Sequence, residues 1–205
     1  MAKGNAVSRF LFVHEIDEYP TGSRRWRYLG LSVAATIVLY YAYYVQTGVT
    51  PPILETYHMS FSYYVGIVIV SNLIGAFASL PAGLTDKLGR ANVVIYGVAA
   101  VALIMGFGVP NAHSSLSFAI VICVLGLVEG AILVATPALV RDYSPQTGRA
   151  LAMGFWTIGP VAGSLIVSVV AANTLPASGA NWQGQFITAA WVSLALFVAS
   201  LLWLK

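Results

Sequence analysis

Glu129 is the acid whose position could carry chemistry. It stands in an apolar run, 12 residues before Arg141 and 16 after His113. At about 1.5 Å of rise per helical residue these spacings are about 18 Å and 24 Å, which sets the carboxyl group near the middle of a bilayer. A carboxylate there costs several kcal/mol unless it faces water or a partner, so it reads as a substrate, ion or proton site. The alternative is a protonated glutamic acid bonded to a backbone carbonyl as structural glue. Four tyrosines, Tyr40, Tyr41, Tyr43 and Tyr44, crowd another run. Tyr40 and Tyr44 share one helix face, with Tyr43 at its edge. Membrane tyrosines usually anchor at the interface, but Tyr40 lies 12 residues in from Tyr28. Tyr40 and Tyr44 therefore read as cavity lining as much as anchors. Asn72, in a third run, is a further polar group at depth, and Trp156 reads as packing.

Other chemistries find no residues to carry them. His14, His58 and His113 are far apart in sequence, and a metal site needs convergent ligands. The single cysteine, Cys123, lies in an apolar run, so there is no intramolecular disulfide and no thiolate cluster. No nucleophile triad, phosphate-binding glycine loop or pair of catalytic carboxylates is present. The expectation is a protein that is not an enzyme, with no cofactor and no metal. An ATP-driven pump would need a nucleotide domain, and no polar segment is long enough.

The elements that position Glu129 and the tyrosines follow from composition. Of 205 residues, 59% are hydrophobic and only 8% charged, and the mean hydropathy is +0.82. Soluble domains carry about 25% charged residues. Seventeen charged side chains could not cover a soluble globule of this size, which excludes an ordinary cytosolic enzyme, a secreted disulfide scaffold and a disordered chain. An all-α polytopic membrane protein is expected.

Crossing about 30 Å of hydrocarbon takes roughly 20 apolar helical residues. Six runs qualify, at about 28–48, 63–84, 91–109, 115–140, 150–172 and 186–204. They are apolar all round, unlike the alternating strands of a barrel. Residues 1–27 form a polar amino-terminal tail without the apolar core of a cleaved signal peptide, and 28–205 form the membrane domain. Lys3, Arg9, Arg24, Arg25 and Arg27 precede span 1. Lys87 and Arg90 lie between spans 2 and 3, Arg141 and Arg149 between spans 4 and 5, and Lys205 follows span 6. All ten basic residues thus fall on one side, which the positive-inside rule assigns to the cytoplasm, with both termini there. The net charge of +3 is then an orientation signal, not a nucleic-acid surface.

Helices in lipid associate through small residues and polar contacts. Ser71, Gly75, Ser79 and Gly83 recur every four residues in span 2, a stripe for packing within the chain or for a sliding interface. Gly159, Gly163 and Ser168 give span 5 a second small face. Pro51 and Pro52 are expected to end span 1, Pro81 sits near the inner end of span 2, and Pro137 and Pro160 are expected to kink spans 4 and 5.

Between spans 2 and 3 the sequence reads Gly83-Leu84-Thr85-Asp86-Lys87-Leu88-Gly89-Arg90. This resembles the cytoplasmic G-x-x-x-D-x-x-G-R signature of the major facilitator superfamily, with one residue fewer between Gly83 and Asp86, at the loop where that family has it. The resemblance covers about residues 28–205. It implies that Gly83 and Gly89 turn the chain, and that Asp86, Arg90 and Asp142 form a charge group latching the inner side in the outward-open state. Bare loop charges worth under about 1 kcal/mol each are the alternative. Gly159-Pro160-Val161-Ala162-Gly163-Ser164 resembles the G-P-x-x-G-G motif of antiporter branches, with Ser164 for the last glycine, and marks Gly159, Pro160 and Gly163 as hinge or packing residues. Many facilitators carry a buried arginine in span 4 where Gly126 stands here. Glu129-Gly130 resembles the Glu-Gly pair of organic-anion facilitators.

A facilitator has two six-helix halves, each holding inverted three-helix repeats, with the substrate at the midplane between halves. The resemblance implies that this chain supplies the amino-terminal half, and that the Ser71–Gly83 stripe packs against the other half. No sequence echo joins spans 1–3 to spans 4–6. Three readings stand: a fragment, a natural half-transporter pairing with a second copy or subunit, and a free-standing six-helix channel or scaffold. The first two imply a secondary transporter of the plasma (inner) membrane, a symporter or antiporter working by alternating access on a small solute such as an organic anion or drug-like metabolite. The expected partners are that solute, the lipid bilayer and the second half or copy, with no nucleic acid.

Overall fold

The computed structural model describes residues 22–80, 89–174 and 181–203. Every regular element among them is a helix. Six are long and apolar enough to cross a membrane: Ser23–Gly48, Phe61–Ser79, Arg90–Gly108, Ser115–Asp142, Gln146–Thr174 and Gln183–Leu202, here spans 1 to 6. Pro81, Gly83, Asp86, Lys87, Lys205 and most of the amino-terminal tail lie outside the described residues.

Local chemistry sets the starts. Ser60 accepts the Tyr63 N–H at the head of span 2 (3.2 Å). Ser114 and Ser117 exchange backbone and hydroxyl bonds in a capping box at the head of span 4. Span 3 begins after Gly89 at φ 83°, a left-handed turn that a side chain would strain. Span 6 begins after Asn181 at φ 61°, Asn being a residue that tolerates this region.

Pro51, Pro52 and Pro160 break helices where expected and also open the next ones. Span 1 ends at Gly48, where Pro51 and Pro52, lacking N–H groups, leave the Thr47 and Gly48 carbonyls four residues earlier without helical partners; both prolines lie in the first turn of a separate short helix, Thr50–Thr56. Proline suits a first turn, where its missing N–H would have no partner anyway. Pro160 likewise sits at the start of a helix. Span 5 consists of a 3₁₀ turn Gln146–Gly148, a helix Arg149–Trp156 and a helix Ile158–Thr174. Pro160 falls in the first turn of the last piece, and the expected break is at Thr157, beside the Trp156 carbonyl four residues earlier that Pro160 cannot bond. Pro137 stays inside an unbroken span 4. It denies the Leu133 carbonyl its usual N–H, and the Thr136 hydroxyl lies 3.4 Å from that oxygen. Trp156, expected only to pack, donates its indole N–H to the same hydroxyl (3.3 Å). Span 3 finishes in a π-helical turn, Ile104–Gly108, that nothing in the sequence signalled.

The packing repeats itself. Span 2 lies along span 4, and span 5 along span 1; span 3 meets span 4, and span 6 meets span 1; spans 3 and 6 meet, as do spans 1 and 4. Exchanging spans 1–3 for spans 4–6 leaves this set of pairings unchanged. Three crossings per unit make the second unit upside down relative to the first. The two three-helix units are thus legible in packing where residue identity showed no echo.

The small residues explain the two closest crossings. A Cβ on Gly75 would stand 2.6 Å from the Gly126 carbonyl oxygen, and a Cβ on Gly130 would collide with the Gly75 carbonyl. The Ser71 hydroxyl donates to the Ile122 carbonyl at 2.8 Å. A Cβ on Gly163 would stand 2.7 Å from the Tyr41 amide nitrogen, and one on Gly159 would strike the Thr36 side chain. The expectation that the span 2 stripe packs against another half is therefore corrected for Ser71 and Gly75: they pack on span 4 of this chain. Backbones that touch admit no side chain between them, which also accounts for glycine at 126 in place of arginine.

Candidate functional site

The Ser71–Gly75 crossing fixes span 4 against span 2 and turns Glu129 toward span 1. Beside it opens a cavity of about 430 Å³ bounded by spans 1, 2 and 4. Tyr40, Tyr44, Asn72 and Glu129 all line it, so the four residues singled out for substrate or coupling stand around one space. Its volume is that of a small-molecule site.

The lining follows the repeat. Leu39, Tyr40, Tyr43 and Tyr44 come from span 1, and Glu129, Gly130, Leu133 and Val134 from span 4. The two sets match position for position at a spacing of 90 residues (39 with 129, 40 with 130, 43 with 133, 44 with 134). The cavity therefore lies where the two repeats face each other. One repeat supplies three phenol rings; the other supplies a carboxyl group, a glycine and two aliphatic side chains.

Glu129 is 8% exposed, and its Oε1 is buried without a hydrogen-bond partner among the described residues. The glue reading, a bond to a backbone carbonyl, is not what this oxygen makes. The tyrosines form a cluster. Tyr40 and Tyr44 stack at 6.1 Å between ring centroids, and Tyr43 meets Tyr44 edge-on at 5.0 Å. Tyr43 was placed only at the edge of the face, yet it belongs to the lining. Its hydroxyl donates to the Asn72 amide oxygen at 3.3 Å, joining spans 1 and 2 across the cavity. The signal for it was its i+3 spacing from Tyr40. Asn72 is exposed on the open side.

At the basic end, Arg90 Nη1 and Asp142 Oδ2 pair at 2.5 Å, with side chains 24% and 40% exposed. This joins the start of span 3 to the end of span 4. Arg141 stands at 3.8 Å from the other carboxylate oxygen. Gly83 and Asp86, the rest of the signature, lie outside the described residues. None of Gly159, Pro160 and Gly163 lines the cavity; Gly159 and Gly163 hold span 5 on span 1, Gly163 against the backbone of the lining residue Tyr40.

The sequence profile of the Major Facilitator Superfamily matches residues 32–205. The chain belongs to that superfamily. Its members are transporters, so this is a multi-pass membrane protein of the transporter kind, built to act on small molecules across a lipid bilayer. Neither a curated protein sequence nor a solved structure matches the chain.

Proposed function

We propose that the chain is one six-helix half of a secondary active transporter, carrying a small solute by alternating access, and that Glu129 couples transport to a proton or contacts the solute. The observation that carries this reading is a buried, unpartnered carboxyl oxygen on the wall of a solute-sized cavity. A group so placed can take a proton or a ligand charge, and each state changes what the cavity tolerates. Tyr40 and Tyr44 line the path, and Asn72 sits at its mouth.

Arg90 and Asp142, with Gly83, Asp86 and Gly89, latch the basic end. That end faces the cytoplasm of a plasma membrane, with both termini inside. A second six-helix unit, either further chain or a second copy, covers the open side. Two observations support this. Spans 5 and 2 bury the smallest shares of their apolar stretches, 17% and 22%, against 39% to 56% for the others. Asn72 also presents an amide at a depth where contact with lipid is costly.

The test is transport in proteoliposomes under an imposed proton gradient, with a panel of labelled small acids, amines, sugars and drugs. At least one solute should accumulate, and Glu129→Gln should lower its gradient-driven uptake by about tenfold or more, the loss of a buried charge worth about 1.4 kcal/mol or more. Undiminished gradient-driven uptake in Glu129→Gln would remove the coupling role. No uptake of any solute would favour the free-standing scaffold.

A further inference from the structure

Resting on the proposed transport reading, we infer that the cavity takes a monovalent organic ammonium with an aromatic or bulky apolar body. Its charge would lie at Glu129 and its body against the tyrosine cluster.

The charge of the lining decides the sign of the ligand. Glu129 is the one formally charged side chain among the cavity's described lining residues. Among the described residues nothing cationic approaches it from the helices around it. Span 2 over Phe61–Ser79 contains no Lys, Arg or His, and neither does span 5 over Ile158–Thr174 or span 6 over Gln183–Trp203. The arginines of span 1 are at its first turn, 13 or more residues from Tyr40. At about 1.5 Å per residue that is about 20 Å away. Arg90 is engaged with Asp142 at the membrane edge.

Among the described residues this carboxyl group has no ion-pair partner, and its Oε1 has no hydrogen bond. An anionic ligand would add a like charge beside it in a medium of low dielectric, a repulsion that nothing on the wall offsets. A cation supplies the missing partner. The organic-anion resemblance of Glu129-Gly130 thus points the other way from this lining: an anion site needs a donor of positive charge, and the position where many facilitators hold an arginine is filled here by Gly126, closed off by Ser71.

The rings specify the body of the ligand. Tyr40, Tyr43 and Tyr44 sit 5.0 to 6.5 Å apart in mixed stacked and edge-on contacts, each half-buried. Aromatic faces attract a weakly hydrated organic cation through the ring quadrupole, most strongly where water is excluded. Leu39, Leu133 and Val134 complete an apolar wall. A small hydrated divalent metal ion would find a single carboxylate among the described lining residues, too little charge to replace its water shell.

The probe is benzyltrimethylammonium, which carries a fixed charge and donates no hydrogen bond. Benzenesulfonate is its anionic counterpart and tert-butylbenzene the neutral one. Equilibrium binding of radiolabelled benzyltrimethylammonium to the purified full chain in nanodiscs should saturate. Benzenesulfonate should compete at least about tenfold more weakly, the effect of one unfavourable buried charge contact. Glu129→Gln should weaken the cation about 30-fold or more, and Tyr44→Leu should weaken it about threefold or more. Should Glu129→Gln fail to fold, Asn72→Lys reads the same charge from the exposed side. It should abolish the preference for the cation and raise the affinity for benzenesulfonate.

The inference is overturned if benzyltrimethylammonium does not bind saturably, if benzenesulfonate binds as well, or if both charge variants leave the cation unaffected. Gradient-driven transport of benzenesulfonate would overturn it while the transport reading stood. Saturable, Glu129-dependent cation binding without transport of any solute would do the reverse.

Discussion

Spans 1–3 and spans 4–6 build the same crossing twice and finish it with different side chains. In one, span 2 brings Ser71 and Gly75 against Gly126 and Gly130 of span 4; in the other, span 5 brings Gly159 and Gly163 against Thr36 and Tyr40 of span 1. Each crossing needs small residues on spans 2 and 5, because there backbone meets backbone. The facing helix differs: span 4 must also be small, with Gly126 and Gly130 against backbone, whereas span 1 carries Thr36 and Tyr40. Span 1 keeps Tyr40, whose backbone meets Gly163 while its side chain lines the cavity; span 4 keeps Gly130, with Glu129 beside it. The symmetric part of the architecture is what holds the helices together, and the asymmetric part is what the cavity displays. The same contrast holds at the helix ends. Where span 3 starts beside the end of span 4, Arg90 pairs with Asp142. Where span 6 starts beside the helix that follows span 1, the Trp182 indole N–H donates to the Thr56 hydroxyl at 2.9 Å, and its ring packs on Tyr57, Phe118 and Phe186. One junction is ionic and half wet; the other is aromatic and closed.

Trp182→Ala breaks the aromatic junction and carries the largest effect. Trp182 is 4% exposed and Phe186 is fully enclosed, so truncation leaves a void. The expected loss is about 3 kcal/mol or more in unfolding free energy, read by denaturation in mild detergent. A loss under about 1 kcal/mol would mean that the ring cluster adds little beyond lipid contact.

Next come the crossings. Gly130→Ala drives a methyl group into the Gly75 backbone, which cannot yield without moving span 2. The expected cost is about 2–3 kcal/mol. Gly159→Ala meets Thr36 first at its methyl group, so Thr36→Ser should recover most of its loss while keeping the hydroxyl bond to the Ser32 carbonyl (2.9 Å). No substitution of a facing side chain should recover Gly130→Ala. Equal rescue, or rescue of neither, would erase the distinction between a side-chain and a backbone obstacle.

How much of this could be read beforehand depended on whether a signal was local. Span number, span edges and the depth of Glu129 come from apolar length and charge placement, which a single chain displays openly. The Arg90–Asp142 pair was legible because two charges flank one loop level. The partner of the small-residue stripe was not. Ser71 and Gly75 advertise a close approach, but the approaching helix is named only by Gly126 and Gly130, and these were weighed for a missing arginine and a Glu-Gly pair. Tyr43 was underrated because face geometry was judged on one helix, whereas its place comes from Asn72 on another. The repeat escaped because its spacing of 90 residues joins tyrosine to glycine and leucine to glutamate: geometry persists where identity does not.

Asp142→Asn acts on the ionic junction and has the smallest effect on stability. With side chains 24% and 40% exposed, the pair is screened by water and salt, so its loss should lower unfolding free energy by under about 1 kcal/mol. The wild type should approach the variant as ionic strength rises, since exposed pairs weaken with salt. Yet the same fraction of a kcal/mol has a larger consequence for a two-state equilibrium. If the pair latches the basic end, removing about 1 kcal/mol shifts the ratio of open to closed forms about fivefold. That shift can be read as the labelling rate of a cysteine introduced at Asn72, on the exposed mouth of the cavity, after Cys123→Ala. A rate change of severalfold alongside nearly unchanged stability would assign the pair to conformation and leave the aromatic junction as the fixed end. Unchanged labelling would make Arg90 and Asp142 a surface contact and leave the two junctions differing only in how tightly they hold.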